Sequence, residues 1–330
     1  MKRSWLVFTT LLFLGVVLWF FQREKSTKPA GKILSEPVLS ATEALWKAPD
    51  SSTIPSTDSG KLIRYGKTLI QFTARYFGPK GSVSHFANGM NCQNCHLEAG
   101  TKPWAGNFGA VAAVYPRFSD RRGSAETINQ RISDCFERSM NGRAPDSNSL
   151  EMHAMKAYIT WLGKDVQKGK RPAGTGLELL PYIERAADPV RGKMIYMQKC
   201  QRCHGTNGDG QPDTTAGSGY LYPPLWGVHS YNSAAGLYRL SKFAGFIKDN
   251  MPFGSNYINE QINTAEAWDL AAFVNSQPRP VKQFSQDWPN ILLKPVDNPD
   301  GPFPDSFPSF QHKYGPFAPI AKHKKDMAVK

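Results

Sequence analysis

Cys92-Gln93-Asn94-Cys95-His96 and Cys200-Gln201-Arg202-Cys203-His204 are two copies of one five-residue string, and they decide how the rest of the chain is read. Two thiols three positions apart on a helical turn can add to the two vinyl groups of one porphyrin. The histidine that follows then points its imidazole at the iron. A Cys₄ zinc site or a pair of disulfides would need no histidine after either pair. Each string is therefore an attachment site for a covalent haem c. Cys92, Cys95 and His96 hold one; Cys200, Cys203 and His204 hold the other.

A repeat surrounds the strings. Residues 61–77 have helical periodicity and carry Tyr65-Gly66-Lys67; residues 189–197 carry Arg191-Gly192-Lys193. Each segment leads into a haem string, and each unit closes on an amphipathic helix, at 149–163 and at 264–276. Thr264 or Asn263 caps the last of these, with Glu266 in its first turn. The spacing predicts an all-α fold: two cytochrome c-like haem domains in tandem, over 58–163 and 189–276. A Gly/Pro linker at 164–188 joins them, and an extended Pro-rich C-terminal segment follows at 277–330, its basic end at 322–330 expected to fray. The 330 residues are enough for two such domains, and 40% hydrophobic with 20% charged residues excludes wholesale disorder. With 28 glycines and 25 prolines, long strands and coiled coils are not expected.

Lys2 and Arg3 precede an apolar run at 5–21, closed by Gln22-Arg23-Glu24-Lys25, with no small-residue cleavage site behind it. Residues 1–25 read as an uncleaved anchor ahead of a cleaved signal. The body would then be periplasmic and tethered to the inner membrane. Residues 26–57 read as a tether with one short helix at 41–46. The net charge of +13 favours acidic partners, but no motif supports nucleic-acid binding.

Two haems require two distal ligands. After His204 the candidates are Met251, in Asn250-Met251-Pro252-Phe253-Gly254, and His229; the Met-Pro loop favours Met251. The first unit has no Met-Pro loop. Thirty-nine residues after His96 stands the fifth cysteine, Cys135. On a helix Arg131, Cys135 and Ser139 share one face, and Arg131 and Arg138 both lie within about a turn of the sulfur, where cations favour thiolate. A reactive, iron-bound Cys135 is one reading. Met140, Met152 and His153 are the distal candidates if that cysteine is only core.

The order of these parts, with Arg131-Ile132-Ser133-Asp134-Cys135-Phe136-Glu137-Arg138-Ser139-Met140-Asn141-Gly142 between the strings, resembles the tetrathionate-forming thiosulfate dehydrogenases. The resemblance runs from about residue 61 to 319. It implies oxidation of two thiosulfate to tetrathionate, possible in both directions. Electrons would pass through two haems to an external acceptor such as a soluble cytochrome c. It also implies Cys135 as distal ligand and catalytic thiolate, Arg121 and Arg131 as substrate-binding arginines, and Ser139 as an active-site serine. Some members place an iron-binding lysine directly before the distal methionine. Here that position is Asn250, with Lys248 two residues earlier, so His204/Met251 ligation is expected to be stable. The rival readings are a membrane-anchored dihaem electron carrier without substrate chemistry, and a haem subunit that acts on a partner protein's cysteine.

Overall fold

The computed structural model describes residues 44–328. Most of the regular structure is helical, with two short antiparallel hairpins. In the first unit α1 (Asp58–Gln71) starts at Thr57, whose side chain accepts from Gly60 N. Helix α2 (Ile128–Arg138) begins with a capping box in which Thr127 and Gln130 bond reciprocally. Helix α3 (Leu150–Leu162) is capped by Ser149. In the second unit α4 (Pro189–Lys199) has Asp188 as cap and proline at its first position. Helix α5 (Leu240–Asn250) follows, and then α6 (Thr264–Ser276). Of the two caps expected for α6 the structure uses Asn263, in a capping box with Glu266.

The repeat is a pair of helix crossings. Helix α1 packs on α3, and α4 packs on α6. Gly66 and Gly192 stand at the two contact points. A Cβ on Gly66 would lie 2.0 Å from the carbonyl oxygen of Ala154 and 2.8 Å from Tyr158 Cβ. One on Gly192 would lie 2.0 Å from the Asp269 oxygen and 2.8 Å from Phe273 Cβ. Glycine is there because backbone meets backbone. Around these crossings lie two cores, one with Leu69, Phe77, Phe136, Met155 and Tyr158, the other with Tyr196, Leu240, Phe246, Trp268 and Phe273.

The connecting segments are more structured than their composition suggests. Residues 44–46 of the helix expected at 41–46 are not helical, and the first three lie outside the described residues. Trp46 and Ile54 nonetheless bury in the first core. The 164–188 segment is bonded along its length: Gly174 O accepts from Trp104 N at 2.9 Å, and Gly176 O from Gly106 N at 2.8 Å. Its far end contributes Leu180 and Ile183 to the second core. The C-terminal segment is irregular over 277–290. It ends in α7 (Phe317–Ala328), where fraying was expected; Phe317 and Ile320 insert into the second core and hold the helix down.

The expected localisation is corrected. The apolar run at 5–21 lies outside the described residues, and no described helix is long and apolar enough to cross a membrane. The longest has 14 residues. That spans about 21 Å, against about 30 Å of hydrocarbon. A body tethered to the inner membrane by a helix therefore has no support in the structure.

The glycine crossings can be tested by denaturant unfolding of the haem-loaded protein. Alanine would improve helix propensity by about 1 kcal/mol, but the overlap with a carbonyl outweighs it. Gly66→Ala and Gly192→Ala should each destabilise by about 1–3 kcal/mol. Gly236→Ala, which meets no atom within 4 Å, should change stability by less than about 0.5 kcal/mol.

Candidate functional site

Each haem string presents its histidine in the form iron needs. His96 Nδ1 bonds to the carbonyl oxygen of Gly106, and His204 Nδ1 to that of Pro223 at 2.9 Å. Donation from Nδ1 leaves the Nε2 lone pair for a metal. Burial, with a smaller push from Arg131, lowers the His96 pKa to about 4, so the ring is neutral. Gly106 has φ +65°, and a Cβ there would lie 3.2 Å from His96 Nδ1. It is tied to Gly176, so the 164–188 segment holds the partner of the first proximal histidine in place.

The residues fit two haems c. All five cysteines are free. Among the described residues no group of metal-binding side chains contains a cysteine, which removes the four-thiol zinc alternative. A cavity of about 690 Å³ is lined by Cys200, Cys203, His204 and Met251 and walled by Tyr196, Phe246, Leu270 and Val274. It extends to Cys95 of the first string. His229 is exposed and does not line it. Lys248 is buried with Nζ 2.6 Å from Glu260 and 3.3 Å from Glu178. Burial alone would lower its pKa, but the two carboxylates reverse this and raise it. That ammonium is committed elsewhere. Asn250 is buried and donates to the carbonyls of Trp104 and Phe246.

In the first unit the other distal candidates differ in burial. Met140 and Met152 are core residues, and His153 is exposed. Cys135 lies half-buried on α2 and interacts electrostatically with both thiols of the first string. Burial first, and Cys135 next among the raising influences, push the Cys92 thiol up to about 12; Cys95 rises to about 12 through burial, Cys92 and Cys135. Ser139 is the C-cap of α2. Its amide donates to Cys135 O at 2.8 Å, and its hydroxyl has no hydrogen bond to a described residue.

The arginines divide by partner. Arg131 is raised above its usual range, chiefly by Cys135, and its guanidinium makes no hydrogen bond or ion pair with a described residue. Arg121 and Arg122 sit at the tip of a hairpin, β1 (Arg117–Ser119) and β2 (Ser124–Glu126). Arg122 is bonded to Asp134 at 2.6 Å and lies 3.7 Å from Glu126. Arg121 donates to Ala234 O at 3.3 Å, leaving other N–H groups unbonded. Burial first, then Arg138 and Arg131, lower its pKa to about 10. Arg138, expected within a turn of the sulfur, is taken by Asp287, with bonds of 2.7 and 2.8 Å, lies 3.7 Å from Asp134 and packs under the Phe284 ring. Asp287 was missed from sequence, because nothing near it in the chain marks it.

Beside Lys248, Asp249 is buried next to two other carboxylates, those of Glu178 and Glu260, all within 4.8 Å of one another. Burial and then Glu178 push its pKa up to about 8. The folded protein therefore holds a proton that the unfolded chain releases near pH 4. Stability is lost as pH rises through that window, by at most about 1.4 kcal/mol per pH unit. Thermal midpoints should fall between pH 5 and 8, and Asp249→Asn should flatten that fall. An unchanged slope would mean that Asp249 is ionised throughout.

Comparison with known proteins agrees with this geometry. Residues 83–167 match the SoxA/TsdA cytochrome c domain, and 189–278 match cytochrome c. The thiosulfate dehydrogenase of Stutzerimonas stutzeri is 34% identical over 77% of this chain and 77% of its own. That of Allochromatium vinosum is 38% identical over 71% of this chain and 84% of its own. The solved thiosulfate dehydrogenase TsdBA from Marichromatium purpuratum superposes with a TM-score of 0.66 at 31% identity. It covers 73% of this chain, which spans about half (51%) of that one. By sequence, by the pairing of its two domains and by the two haem sites they build, the chain belongs to the thiosulfate dehydrogenase family of dihaem c-type cytochromes.

Proposed function

We propose that the protein oxidises two thiosulfate to one tetrathionate at Cys135 and delivers two electrons to an external acceptor such as a soluble cytochrome c. The observation that carries this reading is the pairing of Arg131 with Cys135: a guanidinium with no bonded carboxylate among the described residues, interacting with a half-buried sulfur. The two haems, when bound, supply the electron sink, one electron each, with His96 and Cys135 as ligands to the first and His204 and Met251 to the second.

The chain's own residues do the rest. Arg131 brings a positive charge to the Cys135 sulfur. Its free N–H groups, with those of Arg121, face a dianion whose sulfonate oxygens match a guanidinium fork. Joining Cys135 Sγ to the outer sulfur of one thiosulfate gives Cys–S–S–SO₃⁻ and releases two electrons. A second thiosulfate then attacks the sulfur that came from the first, breaks the bond to Cys135, and leaves as tetrathionate while the thiolate returns. The arginines hold two like-charged molecules within reach of one sulfur, and Ser139, at the end of the same helix face, offers a hydroxyl to the bound anion. The second step is a thiol–disulfide exchange and runs both ways, so tetrathionate reduction belongs to the same site.

The test is thiosulfate-dependent ferricyanide reduction by variants that carry both haems. Cys135→Ser should lose at least about a hundredfold in rate. A charged hydrogen bond contributes about 1.5–3 kcal/mol. Arg131→Gln and Arg121→Gln should therefore each lower kcat/KM by about 10- to 100-fold, while Arg122→Gln mainly lowers stability. Equal rates in wild type and Cys135→Ser would make the cysteine a bystander. A wild type without thiosulfate turnover would favour the plain electron carrier.

A further inference from the structure

The C-terminal segment lays a strap across the candidate site. Lys282 Nζ donates to the carbonyls of Glu137 and Gly142, fastening one end at the terminus of α2. Phe284 covers the Arg138 guanidinium at 3.8 Å. Trp288 lies beside Arg121, 5.5 Å from ring centroid to guanidinium carbon, and its amide donates to Arg121 O at 2.8 Å. Pro289 closes on the hairpin tip at Gly123, where a Cβ would lie 2.5 Å from it. Between these anchors Asp287 takes Arg138 with both oxygens and comes within 4.0 Å of Arg121 Nε.

We propose that Asp287 is a positioning residue for the anion site, an inference that rests on the thiosulfate reading above. Arg121 and Arg138 share Asp287, and Arg121 also feels Arg131, which brings three guanidinium groups to bear on one region. Left unpaired, Arg138 would offer the anion a third, competing fork and would repel Arg121. Asp287 closes that fork by occupying it and draws Arg121 toward the strap. The donors left open are those of Arg131 and the remainder of Arg121, the two arginines nearest the chemistry. A dianion is thereby directed to Cys135 and not to the wrong side of the cluster.

Charge alone and geometry predict opposite results, which makes the inference testable. Asp287→Asn removes a negative charge from an anion site, so an electrostatic bystander would bind thiosulfate more tightly with kcat unchanged. A positioning residue predicts that kcat falls about tenfold or more in full-length protein carrying both haems, with Asp287→Glu restoring part of it. A second readout needs no turnover: the rate at which iodoacetamide alkylates Cys135, followed by mass spectrometry, with and without sulfate. Sulfate should protect Cys135 in the wild type, and Asp287→Asn should require about tenfold more sulfate for equal protection. If Asp287→Asn does not take up both haems, Asp287→Glu carries the test. It keeps the charge but moves it by one methylene, and should lower kcat about threefold at an unchanged thermal midpoint. Unchanged kcat and unchanged sulfate protection would overturn the inference. So would a lower KM at the wild-type kcat. A wild type that does not turn over thiosulfate, yet shows sulfate protection that depends on Asp287, would overturn the proposed reaction and leave the positioning role standing.

Discussion

A guanidinium that feels a half-buried sulfur, with carboxylates near it but none bonded to it, is the interaction on which this architecture turns. Arginines are common around the site, but most are balanced. Arg122 has Asp134 and Glu126, and Arg138 has Asp287. Arg131 alone among these three is left to Cys135. Because charge without a bonded partner is costly to bury, an arginine kept in this state suits a site that receives an anion, as the proposed reaction requires.

That arrangement needs parts from the whole chain. Helix α2 supplies Arg131, Cys135 and the Ser139 cap, and the β1–β2 hairpin supplies Arg121. The second unit contributes Ala234 as the acceptor for Arg121, from a loop whose Tyr231 and Ala235 bury in the first core. The strap supplies Asp287. The linker works at the other end of the same unit, where Gly176 holds Gly106 and Gly106 holds His96. Neither domain alone would complete the site. One cavity that touches both haem strings follows from the same close docking.

What could be read from sequence was local. The Cys-x-x-Cys-His strings, the period of the terminal helices and the shared face of Arg131, Cys135 and Ser139 are all set within a few residues. The structure forms both terminal helices and keeps the shared face, but α6 is buried on every side from Ala267 to Asn275 and not on one face. What could not be read was long-range or masked by composition. Asp287 meets Arg138 across 149 positions, and no motif announces such a pair. Arg121 and Arg122 look alike in sequence, and only the fold bonds one to a carboxylate at 2.6 Å and leaves the other with one at 4.0 Å. Phe317 and Ile320 anchor a helix that its run of lysines made look like a frayed tail.

The central claim is that the Cys135 sulfur forms a bond to thiosulfate sulfur, and the reverse exchange tests it directly. Tetrathionate mixed with the haem-loaded protein should transfer one S₂O₃ unit to the thiolate and release one thiosulfate, with no net oxidation. Peptide mass spectrometry should then find a gain of S₂O₃ on the peptide that contains Cys135, removable by added thiosulfate and absent from Cys135→Ser. An enzyme that turns over thiosulfate yet never carries that adduct would contradict the account.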